Sequence, residues 1–177
     1  MVSRCGFYVY GDVIVERIVK IDWDLGFDRD AKHKYIERIK SALGSYVGTK
    51  ADVTTASQDY KARRLSPIFL KCKDKDISVE DYWQQVVKDK IPNASEVRGL
   101  FDYVYLYNFS DYEIDVAMEY DCYIDVFHNP DRGFHNTQAR SLAVLRLIIE
   151  TGQEQVLESL EGFLQWYKAI KWEVEYV

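Results

Sequence analysis

The sequence predicts an α+β fold, a helix-rich single domain over residues 1–177 with a small antiparallel sheet. Three observations predict it. Residues 6–23 alternate apolar and polar positions about Gly11-Asp12, the pattern of a strand pair. Much of the later chain carries apolar residues three and four apart, the pattern of helices with one buried face. No repeat, low-complexity run or linker divides the 177 residues, a length that buries roughly two-thirds of its unfolded surface around one core.

The elements follow in order. Phe7, Tyr8, Val9 and Tyr10 form one extended run; Val13, Val15, Val19, Ile21 and Trp23 share one face of the next, interrupted by Arg17. The first helix begins at Asp28, whose side chain can cap it. It turns Ala31, Tyr35, Ile36, Ile39 and Leu43 inward and stops at Gly44. A short strand over 51–55 leads into a polar stretch around Ser57, Gln58 and Asp59, and residues 65–70 supply a second apolar anchor. Ser78, with Asp81 three residues on, makes a capping box for a helix over 79–90 that Pro92 closes. Val97, Leu100, Phe101, Val104 and Tyr105 argue a helix over 95–109, residues 111–119 suit helix or strand, and 122–127 read as a strand. Two helices close the series, over 137–150 and 154–169, with Thr151-Gly152 as the break and an alternating edge strand over 172–176.

Composition narrows the function. A net charge of −6 opposes binding a polyanion over the whole surface, so any nucleic-acid contact must be local. Lys61, Arg63, Arg64, Lys71, Lys73 and Lys75, flanked by Tyr60 and Phe69, are the candidate for such a contact; a solvated charged face is the alternative. Three cysteines, Cys5, Cys72 and Cys122, without metal-ligand spacing fit a reduced compartment. No apolar stretch approaches the roughly 20 residues that span a bilayer, so the expectation is a cytoplasmic protein with no membrane partner. The chain has no GxSxG, HExxH, CxxC pair, P-loop or GxGxxG, and His33, His128 and His135 lack ligand spacing; no metal and no cofactor are expected.

Two segments carry candidate chemistry. The run from Tyr123 to Leu147 passes from an apolar strand through a polar turn into a helix opened by Asn136, Thr137, Gln138, Ala139 and Arg140. Unpaired N–H groups and the helix dipole favour an anion there, and Arg132, His135 and Arg140 add positive charge. The alternative is a helix capped by Asn136 or Thr137 with solvated arginines. In the helix over 79–90, a step of about 100° per residue puts Glu80, Trp83, Gln84 and Val87 on one face toward the core. A carboxylate half-buried beside Trp is pushed up toward the range useful for proton transfer. The competing account is that the first turn of a helix favours an acid in any case.

Three groups of residues together resemble a known family: Thr54-Thr55-Ala56-Ser57, Leu65-Ser66-Pro67-Ile68-Phe69-Leu70 and Val79-Glu80-Asp81-Tyr82-Trp83-Gln84. In that order they are similar to the NADAR superfamily of ADP-ribose-processing domains. The run Tyr123-Ile124-Asp125-Val126-Phe127-His128-Asn129-Pro130 and the helix opening at Asn136 look most like members encoded as antitoxins beside DarT-type DNA ADP-ribosyltransferases. The similarity touches residues from Trp23 to Leu147.

The resemblance implies a NADAR-like fold and a glycohydrolase that removes ADP-ribose from guanine in DNA or RNA, with a cognate ADP-ribosyltransferase toxin as partner. It puts Glu80 and Gln84 at the family's Glu and Gln positions. The family's lysine stands about seven residues after the glutamate. Here that place holds Val87, with Lys88 next, and one residue turns a side chain about 100° around an α-helix unless a bulge or register shift compensates. The implied assignments are Glu80 and Lys88 for catalysis. Asn136 and Arg140 would hold the pyrophosphate, Trp83 or a tyrosine would stack on a base, and Ser57 and Asp125 would bind ribose hydroxyls. A NADAR-like module that binds ADP-ribose, a nucleotide or a protein without turnover is the second reading, and a purely structural or interaction domain the third.

Overall fold

β1 (Val2–Tyr10) and β2 (Val13–Ile21) form a hairpin in which Gly11 takes the positive φ of 63° that a tight turn requires. This computed structural model describes residues 1–44, 51–52, 56–87, 90, 94–132 and 137–177. β3 (Ala51–Asp52), β4 (Cys122–Asp125) and β5 (Lys171–Tyr176) complete one five-stranded sheet in the order β3-β4-β1-β2-β5. The sheet is mixed, which corrects the antiparallel expectation. β1 pairs antiparallel with β2 and β4, whereas β5 runs parallel to β2 and β3 parallel to β4. Only β1 and β2 are joined by a tight turn; strands reached through helices are free to pair parallel.

Seven α-helices surround the sheet: α1 (Arg29–Leu43), α2 (Tyr60–Arg63), α3 (Val79–Tyr82), α4 (Ala94–Tyr107), α5 (Asp111–Met118), α6 (Gln138–Glu150) and α7 (Leu160–Tyr167), counted among the described residues. They lie in two layers. Val19, Ile21, Ile124 and Val126 on one face of the sheet pack against Tyr35, Ile36, Ile39 and Leu43 of α1. Cys5, Phe7, Ile14 and Ile18 on the other face meet Leu142, Ala143, Phe163 and the rest of the larger helical layer. No helix is long and apolar enough to cross a membrane among the described residues.

α1 begins and ends where its residues dictate. Asp28 accepts a hydrogen bond from the Ala31 N–H at 2.8 Å, and Gly44, at φ 72°, donates its N–H to the Lys40 carbonyl. Arg17, the interruption on the β2 face, has a structural reason: it donates to Glu175 Oε2 at 2.9 and 2.7 Å and to the Leu43 carbonyl at 3.3 Å, closing the end of α1 onto β5. At Gly6 a Cβ would stand 2.8 Å from Leu43 Cδ1 and 2.9 Å from Cys122 Sγ, so the sheet accepts this helix only because a glycine is there.

Three boundaries differ from expectation. Residues 111–119 resolve as helix α5, since the Glu113 carboxylate accepts from the Ser110 N–H at 2.7 Å and closes a capping box. The expected helix over 154–169 divides into a 3₁₀ turn, Glu154–Glu158, and α7. Ser159 stands extended between them and accepts from the Gly162 N–H at 3.1 Å, which starts a new helix. The expected helix over 79–90 is α3 followed by a π turn, Trp83–Val87; Pro92 lies outside the described residues, as do Thr54 and Thr55.

Candidate functional site

The start of α3 is docked on residues 65–70. The Val79 N–H donates to the Leu70 carbonyl at 2.8 Å and the Glu80 N–H to the Pro67 carbonyl at 3.0 Å. The start of α6 reaches the same stretch, where Gln138 Nε2 donates to Ser66 Oγ at 3.3 Å. Two helix openings 58 residues apart, Glu80 and Gln138, are thus tied to one short turn. Gln84 Nε2 donates to Glu80 Oε1 at 2.9 Å, which orients the carboxylate from the next turn.

The shared inward face expected of this helix is corrected. Trp83 is buried and meets Phe101 edge-on with centroids 5.1 Å apart, but Gln84 is exposed and Glu80 and Val87 are half-buried. α3 packs through Val79 and Trp83, one helical step apart, so the residue after Trp83 is carried out to the surface. Trp83 is therefore a core residue whose ring faces are occupied by protein.

Asp125 organises the chain beyond β4. Its Oδ1 accepts the N–H groups of Phe127 at 2.8 Å and His128 at 3.2 Å, and its Oδ2 accepts the Thr137 hydroxyl. The carboxylate that the resemblance assigns to a ribose here clamps the loop to the opening of α6. Thr137 uses its hydroxyl on Asp125 and makes no side-chain cap.

Arg140 lines a cavity of about 300 Å³ on the larger helical side, with Glu16, Arg98, His128, Thr137 and Tyr176. Its guanidinium lies 4.3 Å from the Trp172 ring centroid and donates to the Tyr167 hydroxyl at 2.6 Å. Tyr167 in turn donates to Asp102 at 2.8 Å, and Ser141 donates to the other oxygen of the same buried carboxylate. Burial pushes the Asp102 carboxyl up, against the pull of Arg140 and these hydroxyls. Burial raises Glu16 likewise, opposed by its hydrogen bond with Cys5 and by Arg140 and Arg98. Among the described residues, Cys5, Glu16 and His128 are the group with metal-type donors, their ligand atoms within 4.8 Å of one another. Arg98 and Arg140 on the same wall repel a cation, and burial holds the Cys5 thiol protonated.

A basic cleft of about 260 Å³ opens on the α1 side, lined by Arg29, Lys32, His33, Ser57, Arg63 and Phe127. Arg63 donates to the Ser57 carbonyl at 3.1 Å, and Ser57 Oγ accepts from the Asp59 N–H at 3.0 Å. Lys32 Nζ stands 4.9 Å from the Phe27 ring and 5.8 Å from Phe127. Phe27 and Phe127, about half exposed, tilt against each other at 5.9 Å. Three cations, Arg29, Lys32 and Arg63, beside the open Phe127 ring suit a phosphate-bearing aromatic ligand.

The assigned residues thus fall in three places. Glu80 on α3 pairs with Gln84 on the π turn, Ser57 belongs to the basic cleft, and Arg140 lines the cavity across the sheet, with Asp125 as the clamp between the cleft and that cavity. Lys88, Asn136 and His135 lie outside the described residues. Sequence reasoning missed Arg29, Lys32, His33 and Phe127 as one cleft, and Glu16 and Asp102 as buried acids. In comparisons with known proteins, no family model matches the chain and no curated protein matches it.

Proposed function

We propose that the chain is an ADP-ribosyl glycohydrolase of NADAR type that frees guanine in nucleic acid from ADP-ribose, serving as antitoxin to a cognate ADP-ribosyltransferase. The observation that carries this reading is the π turn Trp83–Val87 directly after Glu80. A π turn takes in one residue more than an α turn, so eight residues complete the rotation that seven complete in an α-helix. Lys88 stands eight after Glu80 in sequence, where the family's lysine stands seven. The basic cleft, with Phe127 on its wall, supports the same reading, as a seat for pyrophosphate and adenine.

In this reaction the bond between the anomeric carbon and the guanine nitrogen breaks. Guanine leaves with a proton, and water supplies hydroxide to the carbon, directly or by hydrolysing an imine formed between Lys88 and the opened sugar. Glu80, held by Gln84, handles the proton or steadies positive charge at the anomeric carbon. Release of ADP-ribose from an ADP-ribosylated guanosine, followed by chromatography, tests the reading. Glu80→Gln should slow release by about 10²–10⁴-fold. Full turnover by that variant removes Glu80 from the mechanism, and an unchanged rate for Lys88→Ala excludes the imine.

Val87 favours a second reading. It is half-buried and lines an apolar cavity with Tyr82 and Leu100, at the position where the family's lysine would stand in an unbroken α-helix. A module that only binds ADP-ribose would give calorimetric binding with no product.

A further inference from the structure

The cationic stretch 60–75 folds into a groove that the glycohydrolase chemistry does not use. Tyr60, Lys61, Arg64, Phe69, Lys71 and Lys73 wall a cleft of about 370 Å³. The Arg64 guanidinium lies 6.0 Å from the Tyr60 ring and 5.9 Å from the Phe69 ring. Further along, Lys73 Nζ stands 5.1 Å from the Tyr107 ring and Lys75 Nζ 5.0 Å from the Tyr82 ring. Tyr60 is 66% exposed and Phe69 41%. The groove continues into the apolar cavity of about 400 Å³, which shares Asn108 with it and adds Lys75, Tyr82 and Tyr107 to its wall.

Rings alternating with cations along a groove match the two surfaces of a nucleic-acid strand, flat bases and charged phosphates. Four acids stand nearby. Glu113 is engaged as the cap of α5, Asp59 accepts the Lys61 N–H and the Tyr120 hydroxyl, and Asp76 pairs with Lys71 at 3.7 Å in full exposure, where water and salt screen the pair; Asp74, on the wall of the adjoining cavity, is the acid that opposes a phosphate there. The chain as a whole carries a net charge of −6, so a polyanion needs a local cationic surface such as this groove. A duplex hides its base faces, so rings that stack select an unpaired strand.

We infer that this groove binds single-stranded nucleic acid, with phosphates on Lys61, Arg64, Lys71 and Lys73 and bases on Tyr60, Phe69 and Tyr107. The inference names the carrier of the modified guanine and rests on the glycohydrolase reading for what is attached to it. Phe69 belongs to the same 65–70 stretch whose Pro67 carbonyl holds the Glu80 N–H, so one turn anchors both the groove and the helix that carries that acid.

Fluorescence anisotropy of the full chain with labelled, unmodified strands of about 15 nucleotides tests it. DNA and RNA of one sequence distinguish the two sources, the corresponding duplex tests strand selection, and heparin serves as a polyanion without bases. Combined Tyr60→Ala and Phe69→Ala should weaken strand binding by about tenfold or more and leave heparin binding unchanged. Lys61→Ala and Lys73→Ala should each flatten the logarithmic salt dependence by about 0.7. No strand binding at low salt, equal affinity for duplex, or unchanged affinity after loss of both rings overturns the inference. Release of ADP-ribose from a modified guanosine without a strand separates the two failures. If that release persists while strands do not bind, this inference alone falls; if strands bind without release, the glycohydrolase reading falls and the groove stands.

Discussion

Asp102 is a buried carboxylate on the larger helical side. It accepts from Ser141 and Tyr167, and Arg140 donates to the same Tyr167 hydroxyl. An amide there would turn an N–H₂ toward one of these donors. Asp102→Asn should therefore lose about 1–3 kcal/mol in urea unfolding. Because burial raises this carboxyl, the folded chain keeps a proton that the unfolded chain gives up from about pH 4 upward. This group's contribution therefore falls as pH rises through that interval, and the Asn variant should lack the slope in unfolding measured across pH. Local residues such as Asp28 and Gly44 were legible because a cap and its partner lie within one turn. Asp102 was not, since Ser141 and Tyr167 stand 39 and 65 residues away.

At the scale of elements, periodicity located α1 and α4 because each carries apolar residues three and four apart over 14 or 15 residues, and α6 because its apolar run is too long for a strand, being buried nearly all round. It could not separate α3 from the π turn, since α3 buries Val79 and the π turn buries Trp83 four residues on, a helical spacing, and the two differ in which carbonyl each N–H reaches. Replacing the cap of α1, Asp28→Ala, should cost about 1 kcal/mol, read as a lowered denaturant midpoint. Gly6→Ala tests how α1 sits on the sheet. Its methyl would meet Leu43 and Cys122, and overpacking of that kind should cost about 1–3 kcal/mol by the same measurement. The basic cleft escaped the sequence because α1, the residues before α2, the end of α2 and the residues after β4 each supply only part of it.

For the molecule as a whole, the covered sheet is the feature that alternation concealed. Strands buried on both faces usually read as continuous apolar runs. In β2, Glu16, Arg17 and Lys20 interrupt the run, although Glu16 and Arg17 are themselves partly buried. The two layers set chemical access. Cys5 and Cys122 have no exposed surface, and burial pushes the Cys122 thiol up to about 12. A maleimide at neutral pH should label both only after global opening, with Cys72, which lines the apolar cavity beside α4, ahead of them; mass spectrometry over time reads the order. Asp125 stands where the layers meet. Phe127 faces the cleft on one side of the sheet and His128 the cavity on the other, and a single carboxylate oxygen anchors both backbones. A guest that displaced Phe127 would tug at its neighbour through that common tether, so occupancy on one side of the molecule is mechanically felt on the opposite side.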